Sequence, residues 1–118
     1  ELGDFQLAME FLNRSLEIQK KMGHNEIELE TTVYLYLVYK RIGKKYDKNI
    51  INELVDQTEN IEYEINLRLH MLLNEPKYII NAFNQIQEII LNMDDTRKAK
   101  FIEYPIPALI IEKFGILK

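Results

Sequence analysis

The sequence predicts an all-α fold built from antiparallel helical hairpins, and three observations support this prediction. Apolar residues recur every three or four positions along most of the chain, which is the period of an amphipathic helix. The four glycines and three prolines mostly lie where these periodic segments start or stop. The segments are joined by links of about two to six residues, and such short links force neighbouring helices to run antiparallel. No part of the chain requires a strand.

The composition of the 118 residues is that of one ordinary globular domain, with 47% hydrophobic and 29% charged residues. The net charge of -4 argues against nucleic acid as a partner, because nucleic-acid binding needs a basic patch. The chain has no cysteine, so we expect neither a disulfide nor a thiolate metal site, and we expect a cytoplasmic location. No apolar run approaches the roughly 20 residues of a membrane-spanning helix, so we expect no membrane partner.

The first two helices end at glycines. The first helix is expected to follow a capping Asp4 and to stop before Gly23, which takes the left-handed position after the last turn. Its apolar residues are Phe5, Ala8, Met9, Leu12, Leu16 and Ile18. The second helix contains "TTVYLYLVY", whose composition suits a strand but whose apolar positions recur at three and four residues. We therefore predict a helix there, ending at Gly43.

The next three helices are predicted from caps and from a proline. Helix three covers residues 47–58, and Asn60 is expected to cap helix four, which ends near Asn74. Pro76 lies at a first-turn position, where the missing N–H of proline costs nothing. Helix five is predicted for residues 77–93.

The C-terminal part of the chain is predicted to hold two further helices. The segment "DDT" is a break with capping residues, and a short basic helix follows over residues 97–103. The segment "YPIP" is a second break, and "ALIIEKF" forms a last apolar helix that ends at Gly115. Three interpretations of this apolar end stay open: a capping helix, a dimer interface, or a seam to a further domain.

The glycine turns suggest an internal repeat. Gly3 and Gly43 are 40 residues apart, and each follows an apolar residue, precedes a polar one and has an aromatic residue within three positions. One period would be a helix, a short link, a second helix and a glycine turn. This order describes a helical-hairpin repeat.

The stretch "LGDFQLAMEFLNRSLEIQKKMG" resembles the second half of a tetratricopeptide repeat (TPR). Gly3, Asp4 and Phe5 match the Gly-Asp-Tyr turn between the two helices of that repeat. Ala8 matches the small residue that lets the helices pack closely, and Leu12 matches the large apolar position after it. The tail "SLEIQKKMG" resembles the variant of about 40 residues found in kinesin light chain-like and bacterial regulator repeats.

The second helix resembles helix A of the next repeat. The matching residues are Leu35, Tyr39, Ile42 and Gly43. Tyr36 stands where the family has Gly or Ala, so the two helices of that repeat are expected to sit further apart or to tilt. The resemblance implies a short right-handed TPR-like solenoid of about two and a half units.

The resemblance is close over residues 1–46, is limited to the outline over 47–93 and is absent afterwards. We therefore expect TPR-like repeats in 1–93, starting inside a repeat, and capping or interface helices in 94–118. The first helix would be a helix B whose helix A is missing, so we expect the chain to be a fragment of a larger protein. Its face of Phe5, Ala8 and Leu12 would then be covered by a neighbouring copy or be the weakest part of the fold.

The resemblance also implies a partner-binding surface, because helix A of each TPR supplies the concave face. The implied residues are Glu30, Val33, Leu37 and Lys40 on the second helix and Glu64, Arg68 and Met71 on the fourth. This surface has mixed charge and an apolar middle. It lacks the Lys/Asn carboxylate clamp of chaperone-binding members, so binding of an acidic peptide C-terminus is not implied.

The tyrosines of the second helix have two interpretations. At about 100° per residue, Tyr36 and Tyr39 face within about 60° of each other, and Tyr34 points elsewhere. All three could pack between hairpins, or one could line a peptide groove, where an aromatic body with a polar tip binds well.

The sequence carries no pattern typical of an enzyme. His24 and His70 lack the spacing of a zinc site, and adjacent acids such as Asp94 and Asp95 suit capping better than catalysis. No phosphate loop or nucleophile elbow is present. We therefore expect no catalytic activity, no metal and no cofactor.

We expect a non-catalytic scaffold that binds a protein or a peptide. One alternative is a sensory or regulatory TPR module of a signalling protein, such as a nucleotide cyclase, an ATPase-type transcription regulator or a peptide-pheromone receptor. The other is an oligomerisation element, with a homodimer formed through exposed terminal helices.

Overall fold

A computed structural model describes residues 2–23 and 25–117, and these residues form seven α-helices and no β-strand. The helices are α1 (Leu2–Met22), α2 (Asn25–Ile42), α3 (Lys48–Gln57), α4 (Tyr63–Leu73), α5 (Pro76–Leu91), α6 (Asp95–Phe101) and α7 (Pro105–Ile116). The all-α prediction is confirmed. None of the helices described is both long enough and apolar enough to cross a lipid bilayer.

The helices belong to two compact units. The first unit contains α1, α2 and α3 together with Met71–Leu73, the end of α4. The second unit contains Glu62–His70, with the greater part of α4, and also α5, α6 and α7. The sequence predicted repeats up to residue 93 and separate C-terminal helices after it. In the structure α5 shares a unit with α6 and α7.

The first unit is organised around α2, which packs against both α1 and α3. The segment "TTVYLYLVY" is helical, as its period predicted. Every side chain from Thr31 to Tyr39 is buried or half-buried, although a surface helix normally keeps one polar face in water. The apolar composition that imitates a strand is therefore the composition of a helix with neighbours on several sides.

Two of the predicted glycine turns are confirmed. Gly23 and Gly43 have φ angles of 72° and 77°, the left-handed conformation that ends helices at low cost when the residue is glycine. After Gly43, the N–H of Lys44 donates to the carbonyl of Tyr39 at 2.8 Å, which satisfies one carbonyl that the end of α2 leaves free.

The predicted turn at Gly3 is wrong. Gly3 and Asp4 lie inside α1, which begins at Leu2, so Asp4 is a first-turn residue and not the N-cap. A carboxylate in this turn still favours the helix because it faces the positive end of the helix dipole. Gly3 is helical while Gly43 is left-handed, so the two glycines do not occupy equivalent positions.

The expectation that the Phe5, Ala8 and Leu12 face of α1 has no partner within the chain is also wrong. Phe5, Ala8 and Leu12 are half-buried, and the guanidinium of Arg41 from α2 lies 5.6 Å from the centre of the Phe5 ring. This is the face that packs towards α2. The exposed apolar residues of α1 lie on another face, which contains Leu7.

The starts of α3 and α4 differ in their capping. Asp47, the predicted first residue of helix three, is the N-cap of α3, since its carboxylate accepts from the N–H of Asn49 at 2.9 Å. The prediction that Asn60 caps α4 is wrong, because the non-helical link continues to Glu62, which is extended, and the helix begins only at Tyr63. The predicted end near Asn74 is confirmed, with a φ angle of 55° at that residue.

The boundaries in the second unit lie within a few residues of the predictions. Pro76 is the first residue of α5, as predicted, and Asp94 caps α6 by accepting from the N–H of Arg97 at 2.8 Å. The segment "YPIP" is not only a break, since α7 begins at Pro105 within it. Proline is compatible with a first helical position because the N–H it lacks has no partner there.

The core of the second unit is formed by α4, α5 and α7. Its buried residues are Leu67, Ile79, Ala82, Ile86, Ile90 and Ile110. Beside them the rings of Phe83 and Phe114 stack in parallel, with centroids 3.8 Å apart. The apolar C-terminal segment thus covers one side of α5 within this unit.

Candidate functional site

The predicted binding surface on α2 is exposed only at its ends. Glu30 and Lys40 are exposed, Leu37 is half-buried and Val33 has no exposed surface at all. The reason is the packing of α2 against both α1 and α3, which covers the middle of the helix. Val33 is therefore a core residue and is removed from the predicted surface.

Within the first unit, the end of α2 adjoins the Met71–Leu73 segment. The Lys40 Nζ donates to the Met71 carbonyl at 2.7 Å, and the Tyr46 hydroxyl donates to the Leu72 carbonyl at 3.4 Å. Both carbonyls belong to the last turn of α4, where the helix itself provides no donors. A lysine at this position also complements the negative end of the helix dipole. The structure thus brings together two of the predicted surface residues, Lys40 and Met71.

Three tyrosines pack together next to this surface. The Tyr36 ring centroid lies 5.2 Å from that of Tyr46 and 5.8 Å from that of Tyr39. The rings of Tyr36 and Tyr39 stack, which is compatible with the similar directions that the helical spacing predicted for them. The Lys44 Nζ covers the Tyr39 ring at 4.5 Å from its centroid, a cation–π contact. Tyr36 is buried, which agrees with the interpretation that it packs between helices and not with the one that it lines a peptide groove.

The environment of Tyr36 disfavours its ionisation. Burial raises the pKa of the Tyr36 hydroxyl above 10.0, because a phenolate would lose its hydration, and the negative charge of Asp47 raises the pKa further. Tyr39 acts in the same direction. A hydrogen bond with the Asp47 backbone works against these effects, and the net shift is upward. Tyr36 is thus held as a neutral hydroxyl.

The remaining two predicted residues lie in the second unit. Glu64 and Arg68 are one turn apart on α4 and form an ion pair of 3.3 Å. Both side chains are half-buried. This spacing is the one at which opposite charges support a helix, so the pair has a structural role irrespective of any partner.

The second unit also contains a cleft that the sequence did not predict. It has a volume of about 540 Å³ and lies between the start of α4 and the last turns of α5. The lining residues are Glu62, Tyr63, Gln85, Glu88, Ile89 and Asn92. A hydrogen bond orients the Gln85 side chain: the Asn66 side-chain amide donates to the Gln85 Oε1 at 2.9 Å. The two groups of lining residues are more than 20 positions apart, and no local motif connects them.

Of the two histidines only His70 belongs to the described residues, and its surroundings show no arrangement that points to catalysis. The Nδ1 of His70 lies 3.4 Å from the carbonyl of Glu75, and His24 lies outside the described residues. In the part of the chain that the structure describes, no three histidine or acidic side chains are grouped so that they could hold a metal ion.

Comparisons with known protein families, with curated proteins and with solved structures found no match to this chain. The class that the structure defines is therefore the broad one, an all-α protein made of packed consecutive helices.

Proposed function

We propose that this chain is a non-catalytic module that binds a protein or a peptide, built from TPR-like hairpins stacked as a short right-handed solenoid. Two features of the first unit support the TPR-like part of the proposal. Its helices pack consecutively, α1 on α2 and α2 on α3, and left-handed glycines end α1 and α2. Consecutive packing of this kind is how helical repeats bury a continuous core.

The observation that carries the binding proposal is the contact of Lys40 with Met71. Met71 is a large apolar side chain with 38% of its surface exposed, and a lysine side chain bound to its carbonyl lies beside it. Flexible, polarizable methionines are over-represented at surfaces that bind several different partners. The half-buried Leu37 adjoins this surface in the first unit, whereas Glu30 lies at the other end of α2 beyond the buried Val33. In the second unit, the Glu64–Arg68 pair is proposed as a separate charged contact for the same class of partner.

The cleft in the second unit supports the same class of ligand. Two carboxylates and two side-chain amides surround an isoleucine and a tyrosine ring there. Such a lining suits the stem and the positive end of a lysine or arginine side chain from a peptide.

The proposal is tested with a peptide array probed with the full chain, followed by fluorescence anisotropy on the peptides retained. The change to test is Met71→Glu, which places a charge at the centre of the proposed surface. We expect it to weaken peptide binding at least about tenfold, because a desolvated apolar contact would be lost.

The matched control is Ile50→Glu on α3, where the side chain is 42% exposed and belongs to the same unit. It should bind the peptide as the unchanged chain does, and circular dichroism should show equal helix content in all three proteins. Equal binding by the Met71 variant, or retention of no peptide by the unchanged chain, would contradict the proposal.

A further inference from the structure

The outer face of α1 carries three large apolar side chains in contact with water. Leu7, Phe11 and Ile18 are 66%, 70% and 59% exposed, although α1 also has a second apolar face packed towards α2. Positions 7, 11 and 18 lie along one line of a helix, so the three side chains form a continuous stripe. A contiguous exposed apolar patch of this kind marks an interaction surface.

Three charged residues lie on the same line of α1, one within the apolar stripe and one at each end of it. Asp4, Arg14 and Lys21 are exposed, and with the apolar residues they occupy positions 4, 7, 11, 14, 18 and 21. The intervals alternate between three and four residues, which is the spacing of the contact positions of a coiled coil. We call these six residues the α1 seam.

We infer that the α1 seam is the interface of a homodimer in which α1 of one copy packs antiparallel against α1 of a second copy. In this arrangement the numbers of each facing pair add to 25. Leu7 then faces Ile18 of the second copy. The other facing positions are Phe11 with Arg14, and Asp4 with Lys21.

All three kinds of facing pair are favourable. Leu7 and Ile18 bury apolar surface against each other. The guanidinium of Arg14 lies over the Phe11 ring of the second copy as a cation–π pair. Asp4 meets Lys21 with opposite charge at both ends of the seam, since a two-fold axis repeats every contact.

The same residues exclude a parallel pairing in register. A parallel arrangement would place each charged residue against its own copy, so Asp4 would face Asp4 and Lys21 would face Lys21. The seam is therefore complementary to itself in one direction only. This self-complementarity identifies the occupant of the face as a second copy of the chain and not an unrelated helix.

The residues beside the seam are compatible with the pairing. Ala8 and Ser15 are half-buried where the seam borders the face that packs towards α2, and they are small, so they place no large side chain in the way of the second copy. Glu10 and Glu17 flank the other side, and each has a seam cation four residues further along its own helix, Arg14 and Lys21 respectively. At this spacing the cations offset the repulsion between the glutamates of the two copies.

The test uses sedimentation equilibrium of the full chain at low salt and two charge reversals. The unchanged chain should show a monomer–dimer equilibrium. Asp4→Lys places two lysines at each end of the seam, and Lys21→Asp places two aspartates there. Each variant alone should associate at least about tenfold more weakly.

The decisive sample is an equal mixture of the two variants. In the mixed pair every end contact again joins opposite charges, so we expect the association of the unchanged chain to return. A mixture that stays monomeric while the unchanged chain dimerises would show that another face forms the dimer, and single variants that associate as tightly as the unchanged chain would exclude the antiparallel direction. An unchanged chain that stays monomeric up to about 0.5 mM would also overturn the inference.

Two further variants exclude indirect effects. Ile18→Lys leaves the ends of α1 intact and should abolish association, whereas Leu91→Glu, at a residue 82% exposed on α5, should leave it unchanged. Circular dichroism should show that both variants keep their helix content. Met71→Glu should dimerise normally and Asp4→Lys should still bind peptide, so failure of this inference and failure of the proposed function are distinguishable.

Discussion

At the scale of single residues, two buried threonines have opposite hydrogen-bonding states. The Thr32 hydroxyl on α2 is buried without a hydrogen-bond partner among the described residues, whereas the Thr58 hydroxyl donates to the Leu54 carbonyl at 2.7 Å. Valine has nearly the same shape as threonine but no hydroxyl. We therefore expect Thr32→Val to raise the free energy of unfolding by about 1 kcal/mol and Thr58→Val to lower it by about 1 kcal/mol.

Urea unfolding followed by circular dichroism measures both changes, and each variant serves as the control for the other. A loss of stability in both variants would mean that the Thr32 hydroxyl is paired in solution, for instance through a bound water molecule.

The raised pKa of Tyr36 predicts a dependence of stability on alkaline pH. The phenol is neutral in both states below the unfolded pKa of 10.0, so its contribution to stability is fully present there. Above this pH the unfolded chain ionises first, and the contribution is lost as the pH rises through the higher folded pKa. We expect the free energy of unfolding to fall in this window, and to fall less in Tyr36→Phe.

The measurement is a series of urea titrations at increasing pH on both proteins. Below about pH 9 the difference between the two free energies should be constant, because neither state ionises there. If the free energies of unfolding of the unchanged chain and of Tyr36→Phe fall equally with pH throughout the alkaline range, Tyr36 does not contribute to the pH dependence.

Local residue chemistry explains which helix ends the sequence predicted correctly. Gly23 and Gly43 were predicted because a left-handed residue ends a helix most easily when it is glycine. Gly3 was misread because its neighbours imitate a turn motif, although glycine also tolerates the first turn of a helix. The prediction that Asn60 caps α4 was wrong because a non-helical link separates Asn60 from the start of α4. The number of residues in this link depends on how the helices pack and not on the local sequence.

At the scale of helices, the stacked rings of Phe83 and Phe114 fasten α7 to α5. Phe114→Ala removes the stack and leaves a gap beside the core residue Ile110. Since Phe114 is half-buried, we expect the free energy of unfolding to fall by about 2 kcal/mol.

The matched control for this change is Phe11→Ala, which removes a phenyl ring that is 70% exposed. Measured by urea unfolding at a concentration that keeps the chain monomeric, it should alter stability by less than about 0.5 kcal/mol. An equal loss in both variants would mean that the α5–α7 contact contributes nothing specific.

The predicted helices were right in type because a period of three to four residues is a property of the helix itself. The predicted faces were less reliable, and Val33 shows why. Helical spacing places Val33 on a line with Glu30 and Leu37, but it does not reveal how many neighbours surround α2. Burial of that line depends on how α1 and α3 pack against α2, which the sequence of α2 alone does not determine.

At the scale of the whole chain, the sequence predicted the all-α class and the order of the helices. It did not predict the two compact units, because α4 contributes residues to both and its sequence has no break at that point. The acidic cleft of the second unit was missed for a related reason. Glu62 and Glu88 become neighbours only when α4 packs on α5, and neither residue is unusual in its own segment.

The covered middle of α2 has a consequence for how this chain can diverge. From Thr31 to Tyr39 each side chain touches neighbours, so nearly every substitution there changes internal packing. Within the first unit, new recognition properties would arise on the outer face of α1 or at the ends of α2, where the side chains are exposed. Descendants of this gene would thus keep their central helix while their outer surfaces acquire different partners.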